Sequence, residues 1–313
     1  MRMISPKIFK MSHHQHKGDA FRYALMARGW HESQYRFSNR VLFGLFDADW
    51  RPQDIADLHG KPYFLYPHAA RPMVQYDGSV TPRSDCRTMF VSAPAGVHLM
   101  KVIGYPCEVV EVGWSLTPVK RFFPRATVER ITFAPIHPNA NGYLHQVDKD
   151  LNRRAYARLL DYVQSHEDVT VTVRFCRNIN DNGLGEEYRR FDHGVIWKQA
   201  NPDSSTDDIT KADLVVAHQT FAYMSVALGV PTVMMGEDIA PRSGNADIGF
   251  SYSAHFEDYK DYLMFPLDIL QGETEEVIQT AITGSEAVED WKARFIGNPF
   301  RPDYFVDCIE ERL

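Results

Sequence analysis

The sequence predicts an α/β protein built from two doubly wound parallel sheets. Three observations carry that expectation. A chain of 313 residues suits two domains of about 150 residues each. Short apolar runs alternate with segments of helix length, the pattern of parallel strands covered by helices on both faces. The alternation breaks once, at residues 117–129, where Pro118 and Pro124 sit among Lys120, Arg121, Arg125 and Glu129; this is the expected linker.

Before the linker, strands are expected at 7–11, 40–46, 62–66, 88–91 and 108–112. A helix is expected at 19–28, with Asp19 as its N-cap and Gly29 ending it. After the linker, the run Ile131-Thr132-Phe133-Ala134-Pro135 opens a second series. A helix over 150–166 follows, with Leu151, Ala155, Leu159, Tyr162 and Val163 at helical spacing. Strands at 169–175, 212–217 and 231–235, a helix at 221–228 and a last helix at 302–313 complete it. The expected division is 1–128, 129–290, and a helical segment 291–313 crossing back to the first domain.

Composition narrows the class. Hydrophobic residues make up 44% and charged residues 24% of the chain, as in globular proteins. The most apolar segment, 223–236, holds Ser225 and Pro231 and falls short of the ~20 residues a membrane helix needs, so no membrane insertion is expected. The N-terminus does not read as a signal peptide. Cys86, Cys107, Cys176 and Cys308 are far apart with no CxxC pair, which points to a cytoplasmic protein without disulfide or zinc sites. The His13-His14-His16 group lacks a fourth ligand, and adjacent histidines of an extended segment point apart; no metal is expected. Net charge is −7, unevenly spread: residues 1–135 hold 18 Lys+Arg against 11 Asp+Glu, whereas 136–313 hold 16 against 30. A basic first half suits an anionic partner.

The most informative stretch runs from Lys211 to Arg242. It reads Lys-Ala-Asp-Leu-Val-Val-Ala, then His218-Gln219-Thr220, then a helix closed by Gly229 and Pro231, and a strand. It resembles the donor-binding segment of GT-B glycosyltransferases and of the related non-hydrolysing UDP-N-acetylglucosamine 2-epimerases. The resemblance implies the GT-B fold, two Rossmann-like doubly wound domains with a cleft between them. It also implies a nucleotide-sugar co-substrate, expected to be UDP-linked, and no other cofactor. A polar turn at a helix N-terminus offers free N–H groups and a favourable dipole to a diphosphate. The family's ribose-binding Glu falls at Met224, so the resemblance implies either that Glu237 or Asp238 holds the ribose instead or that the donor is unusual. Residues 90–100, with 104–106 and 112–114, resemble the last strands of the first GT-B domain. The loop 132–137 resembles the opening of the second, as also seen in CDP-glycerol glycerophosphotransferases.

Hexosyl or pentosyl transfer needs a diphosphate clamp, leaving-group stabilisation and, for inversion, a base. Donor-binding candidates are His137, Arg174, Arg177, His218, Gln219, Thr220, Glu237, Asp238 and Arg242, all expected beyond carboxyl ends of strands. Candidate bases are His16, Asp19, Asp47 and His68, on equivalent loops of the first domain. Acceptor contacts are expected from Lys17, Arg71, Lys120 and Arg121. The basic first half and the resemblance to phage enzymes that glycosylate hydroxymethylated bases make duplex DNA one acceptor candidate. A glycan or small-molecule acceptor, a sugar-nucleotide 2-epimerase and an inactive nucleotide-sugar-binding module stand as alternatives.

Overall fold

The computed structural model describes residues 7–11, 19–33, 41–46, 62–67, 86–102, 107–137, 144, 146–175, 183–185, 194–235 and 264–313. They fall into two units. The first takes the described residues up to Pro118 together with Ala293–Leu313; the second takes those from Val119 to Lys292.

The first unit is a six-stranded, all-parallel sheet. Its strands are β1 (Ile8–Met11), β2 (His31–Glu32), β3 (Val41–Phe46), β4 (Tyr63–Pro67), β5 (Cys86–Val91) and β6 (Glu108–Glu111), in the order β2-β1-β3-β4-β5-β6. Helix α1 (Asp19–Ala27) follows β1, and Gly29 takes a φ of 81° just beyond its end. Helix α2 (Pro94–Val102) follows β5. The sequence reading of 90–100 as strand needs correction here. Only Phe90 and Val91 are extended, and Pro94 starts a helix because its fixed φ and missing N–H suit the first helical position. The closing helix, α8 (Pro302–Glu310), packs on α1 in this unit. Phe305 meets Phe21 at 5.0 Å and Phe90 at 4.8 Å between ring centroids. Lys7 Nζ reaches Glu310 at 2.6 Å, and Trp30 Nε1 donates to the same carboxylate at 3.1 Å. Lys7, then Trp30 and Arg28, hold the Glu310 carboxyl below its usual range against the opposing effect of burial.

The second unit is a five-stranded parallel sheet: β7 (Arg130–Ala134), β8 (Thr170–Phe175), β9 (Val195–Gln199), β10 (Leu214–Ala217) and β11 (Thr232–Met234), in the order β11-β10-β7-β8-β9. Every residue of β10 is buried, as a central parallel strand requires. Helix α3 (Gln146–Ser165) starts four residues before the expected 150. Helix α4 (Ser205–Thr210) and strand β9 were not anticipated, nor were α6 (Thr274–Thr283) and α7 (Glu286–Phe295). Helix α5 (Gln219–Ala227) joins β10 to β11. The 119–129 stretch belongs to this unit: Lys120 N donates to Ala227 O at 2.7 Å and Phe123 N to Gly229 O at 3.1 Å.

The strand order sets the functional geometry. From β7 the chain moves outward to β8 and β9, then returns to β7's other side for β10 and β11. Right-handed crossovers then place helices on both faces. The winding reverses between β7 and β10, whose final residues Ala134 and Ala217 are still paired; open parallel sheets form their ligand crevice beyond such a point. Asp213 fixes the other end of the same pair. Its Oδ2 accepts from the N–H groups of Glu129 and Arg130, at 3.2 and 3.0 Å.

Candidate functional site

His137 and His218 flank the reversal point. His137 follows β7 by three residues, and His218 follows β10 directly. His218 is the N-cap of α5, with φ −129° and ψ 151°, and is 6% exposed. Its extended backbone turns the chain out of a buried strand into a helix whose first amides lack intrahelical partners. Gln219 and Thr220 form the first turn, with the Thr220 side chain half-buried. The crevice therefore receives a helix N-terminus with no acidic residue in its first turn.

Asn152 holds the β7 side in place. This residue of α3 is fully buried; its Oδ1 accepts from Ile136 N at 2.8 Å and its Nδ2 donates to Ile136 O at 3.1 Å. The loop carrying His137 is thus braced one residue upstream. His137 itself keeps an open surface; desolvation where it meets the protein, then the charge of Arg174, pushes its imidazole down to about 4. It is a neutral imidazole at physiological pH, able to donate one hydrogen bond.

Arg174, next to last in β8, is buried, its side chain 3% exposed. Its Nε lies 2.8 Å from Asp208 Oδ2, and its Nη2 donates to Asn201 O at 3.1 Å and Ser205 Oγ at 3.3 Å. The guanidinium stacks over the Phe221 ring at 4.4 Å. Lys198, at the end of β9, reaches Asp208 Oδ1 at 2.5 Å and remains 45% exposed. Burial lowers the Arg174 pKa and Asp208 opposes that effect. Burial would raise the Asp208 carboxyl, but Lys198, Arg174 and Ser204 carry it below its ordinary range. The cluster is thus ionised, two cations about one carboxylate.

The structure accordingly brings His137, Arg174, His218, Gln219 and Thr220 to one edge of one sheet. Lys120 and Arg121 lie elsewhere in the same unit, beside Ala227 and Gly229, where α5 has run back to the amino edge. Asp19 lies in the first unit, in the first turn of α1, and pairs with Arg22, which also holds Glu32 at 2.9 Å. His16, Lys17, Asp47, His68, Arg71, Arg177, Glu237, Asp238 and Arg242 fall outside the described residues. Sequence reasoning missed Asn152, Lys198 and Asp208. Asn152 had a signal, since it sits on the stripe of Ala155, Tyr156, Leu159 and Val163, where a polar residue needs a partner. The run Asn201-Pro202-Asp203-Ser204-Ser205 was a legible helix start.

Similarity to solved structures settles the architecture. The S. aureus MnaA–UDP complex superposes with a TM-score of 0.57 at 9% identity, covering 97% of this chain and 95% of that one. The UDP-GlcNAc 2-epimerase from Neisseria meningitidis, bound to UDP-GlcNAc, gives 0.56 at 10% identity, covering 97% and 98%. The chain has the GT-B fold. The glycotransferase of kitacinnamycin shares it, with a TM-score of 0.51 at 13% identity over 99% and 100% of the two chains. No protein-family model and no curated protein matches the sequence. Among the described residues of this GT-B chain, no helix is long and apolar enough to cross a membrane.

Proposed function

We propose that this GT-B chain is a nucleotide-sugar enzyme, and specifically a glycosyltransferase whose donor diphosphate lies at the N-terminus of α5. The carrying observation is that His137 and His218 flank the β7/β10 reversal, with free helix amides between them. Ligands of open parallel sheets bind beyond the carboxyl ends at such a point, and helix N-termini suit phosphate oxygens. Two of the structures sharing the fold hold UDP or UDP-GlcNAc.

In this reading the α5 amides and the His137 N–H take the diphosphate, stabilising the charge that builds on the leaving group. For the base, the sequence candidates are His16, Asp19, Asp47 and His68, of which Asp19 lies among the described residues. The epimerase reading has one observation in its favour, the structural likeness to the UDP-GlcNAc 2-epimerase from Neisseria meningitidis; Met224 in place of the ribose-binding Glu counts against it. The basic residues 1–135 favour an anionic acceptor, with hydroxymethylated duplex DNA as a candidate. Incubation with UDP-, CDP- and dTDP-sugars tests all of these. Transfer to an added glycan or modified duplex supports the proposal and isomerisation of the sugar supports the epimerase. Failure to bind any of these nucleotides would remove both.

A further inference from the structure

The charge cluster on the β8–β9 side of the sheet has a reach that sequence alone hides. Strand β7 lies between β8 and β10, and the Arg174 guanidinium of β8 meets Phe221 of α5, the helix that follows β10, at 4.4 Å from the ring centroid. Asp208 fixes the other side of that guanidinium. It engages Arg174, Lys198 and the Ser204 hydroxyl, the last at 3.1 Å. One carboxylate thereby ties β8, β9 and α4 to the first turn of α5.

We propose that Asp208 is a positioning residue: by anchoring Arg174 against Phe221 it sets the place and rigidity of the α5 first turn, residues 218–221. That the turn receives a nucleoside diphosphate rests on the functional reading above; that Asp208 fixes the turn does not. The physical case is that a buried guanidinium must keep its counter-charge. Without it, Arg174 turns toward water and the planar stack on Phe221 is lost. Arg174 donates to Asn201 O and Ser205 Oγ in addition, so α4 and α5 share a single fastening.

The sign of the effect separates positioning from simple charge attraction. Asp208→Asn leaves two cations with no carboxylate, making the site more positive. If the cluster acted on an anion only through its net charge, UDP would bind more tightly. Positioning predicts the opposite.

The test uses the full chain. Hydrogen exchange without ligand should show amides of 218–223 exchanging at least tenfold faster in Asp208→Asn, with 130–134 unchanged. Calorimetry with UDP should show about tenfold weaker binding, partly restored in Asp208→Glu. Phe221→Leu removes the stack while keeping the ions, and should reproduce the exchange change; it carries the test if Asp208→Asn fails to fold. Unchanged protection of 218–223 in the folded variants, or UDP binding equal to or tighter than wild type, overturns the inference. Faster exchange in a protein whose wild type ignores UDP removes the nucleotide reading and leaves the positioning role in place.

Discussion

Asn152 and Ile136 are joined by two hydrogen bonds, one in each direction, between a buried helix side chain and a loop backbone. The pair fastens the loop leading to His137 onto α3. Asn152→Leu would remove both bonds from the buried Ile136 N–H and C=O, at roughly 1–3 kcal/mol for each. The urea midpoint should fall accordingly. A Leu variant as stable as wild type would mean that water replaces both bonds.

The depressed imidazole of His137 makes stability depend on pH. The unfolded chain, with an imidazole near 6.5, takes up protons at higher pH than the folded chain, whose His137 protonates at about 4. This contribution is complete above about pH 6.5 and is lost as pH falls toward 4. His137→Gln should flatten the stability curve in that window and leave it unchanged above pH 7. A bound diphosphate would stabilise the imidazolium, so UDP binding near pH 5.5 should take up protons, measurable by calorimetry in buffers of different ionisation enthalpy.

Thr220→Asp separates stability from binding. A carboxylate in the first helical turn favours the helix by about 0.3–1 kcal/mol, so the variant should melt at or above the wild-type temperature. The same charge repels a diphosphate in a partly desolvated crevice and should weaken UDP binding tenfold or more. Loss of affinity with retained stability is the expected combination; unchanged affinity would move the phosphates elsewhere.

Gly229 is required twice over. Its φ is 75°, and a Cβ placed there would lie 2.0 Å from Arg121 O. Gly229→Ala therefore combines a left-handed strain of about 1 kcal/mol with a backbone clash that displaces the 120–123 stretch. We expect a loss of 2 kcal/mol or more in denaturant unfolding.

Reversing Lys120 and Arg121 to Glu should leave UDP affinity unchanged, because both residues lie by the far end of α5. If duplex DNA is the acceptor and these cations contact it, gel shifts across a salt series should lose slope, by about 0.9 per phosphate contact removed. A duplex that fails to bind at low salt excludes the DNA acceptor.

The sheets were legible because parallel strands announce themselves as continuous apolar runs. Leu214–Ala217 and Arg130–Ala134 were read to within about two residues. Strand β9 escaped because Val195–Gln199 lies at a sheet edge, with Ile196 and Lys198 exposed and an apolar run of only Val195-Ile196-Trp197 to mark it. Helix α2 escaped because Ala, Leu, Val and Met serve buried strand and buried helix alike. In the candidate site, His137, His218 and Thr220 could be placed because a strand–turn–helix pattern fixes their positions. Arg174 could be placed near the end of its strand, but its partner could not be seen: Asp208 lies 34 positions away and meets it only once β8 and α4 are adjacent. Chain spacing locates turns, whereas ion pairs belong to the assembled fold.

The fastening of α8 onto α1 has a temporal consequence. Trp30 and Glu310 are separated by 280 residues along the chain, and Phe21 and Phe90 find their ring partner in Phe305, on the far side of the second unit in the sequence. During synthesis the strands and α1 of the first unit emerge early, yet they must wait for the second unit to be made before their last wall arrives. Until then an apolar face that will be buried stays open while the second unit is made. At typical elongation rates of about 5–20 residues per second, the wait lasts roughly ten to forty seconds. Nascent chains stalled after the second unit should therefore engage chaperones through the face that Phe305 later covers, and release of residues 302–310 from the ribosome should end that engagement.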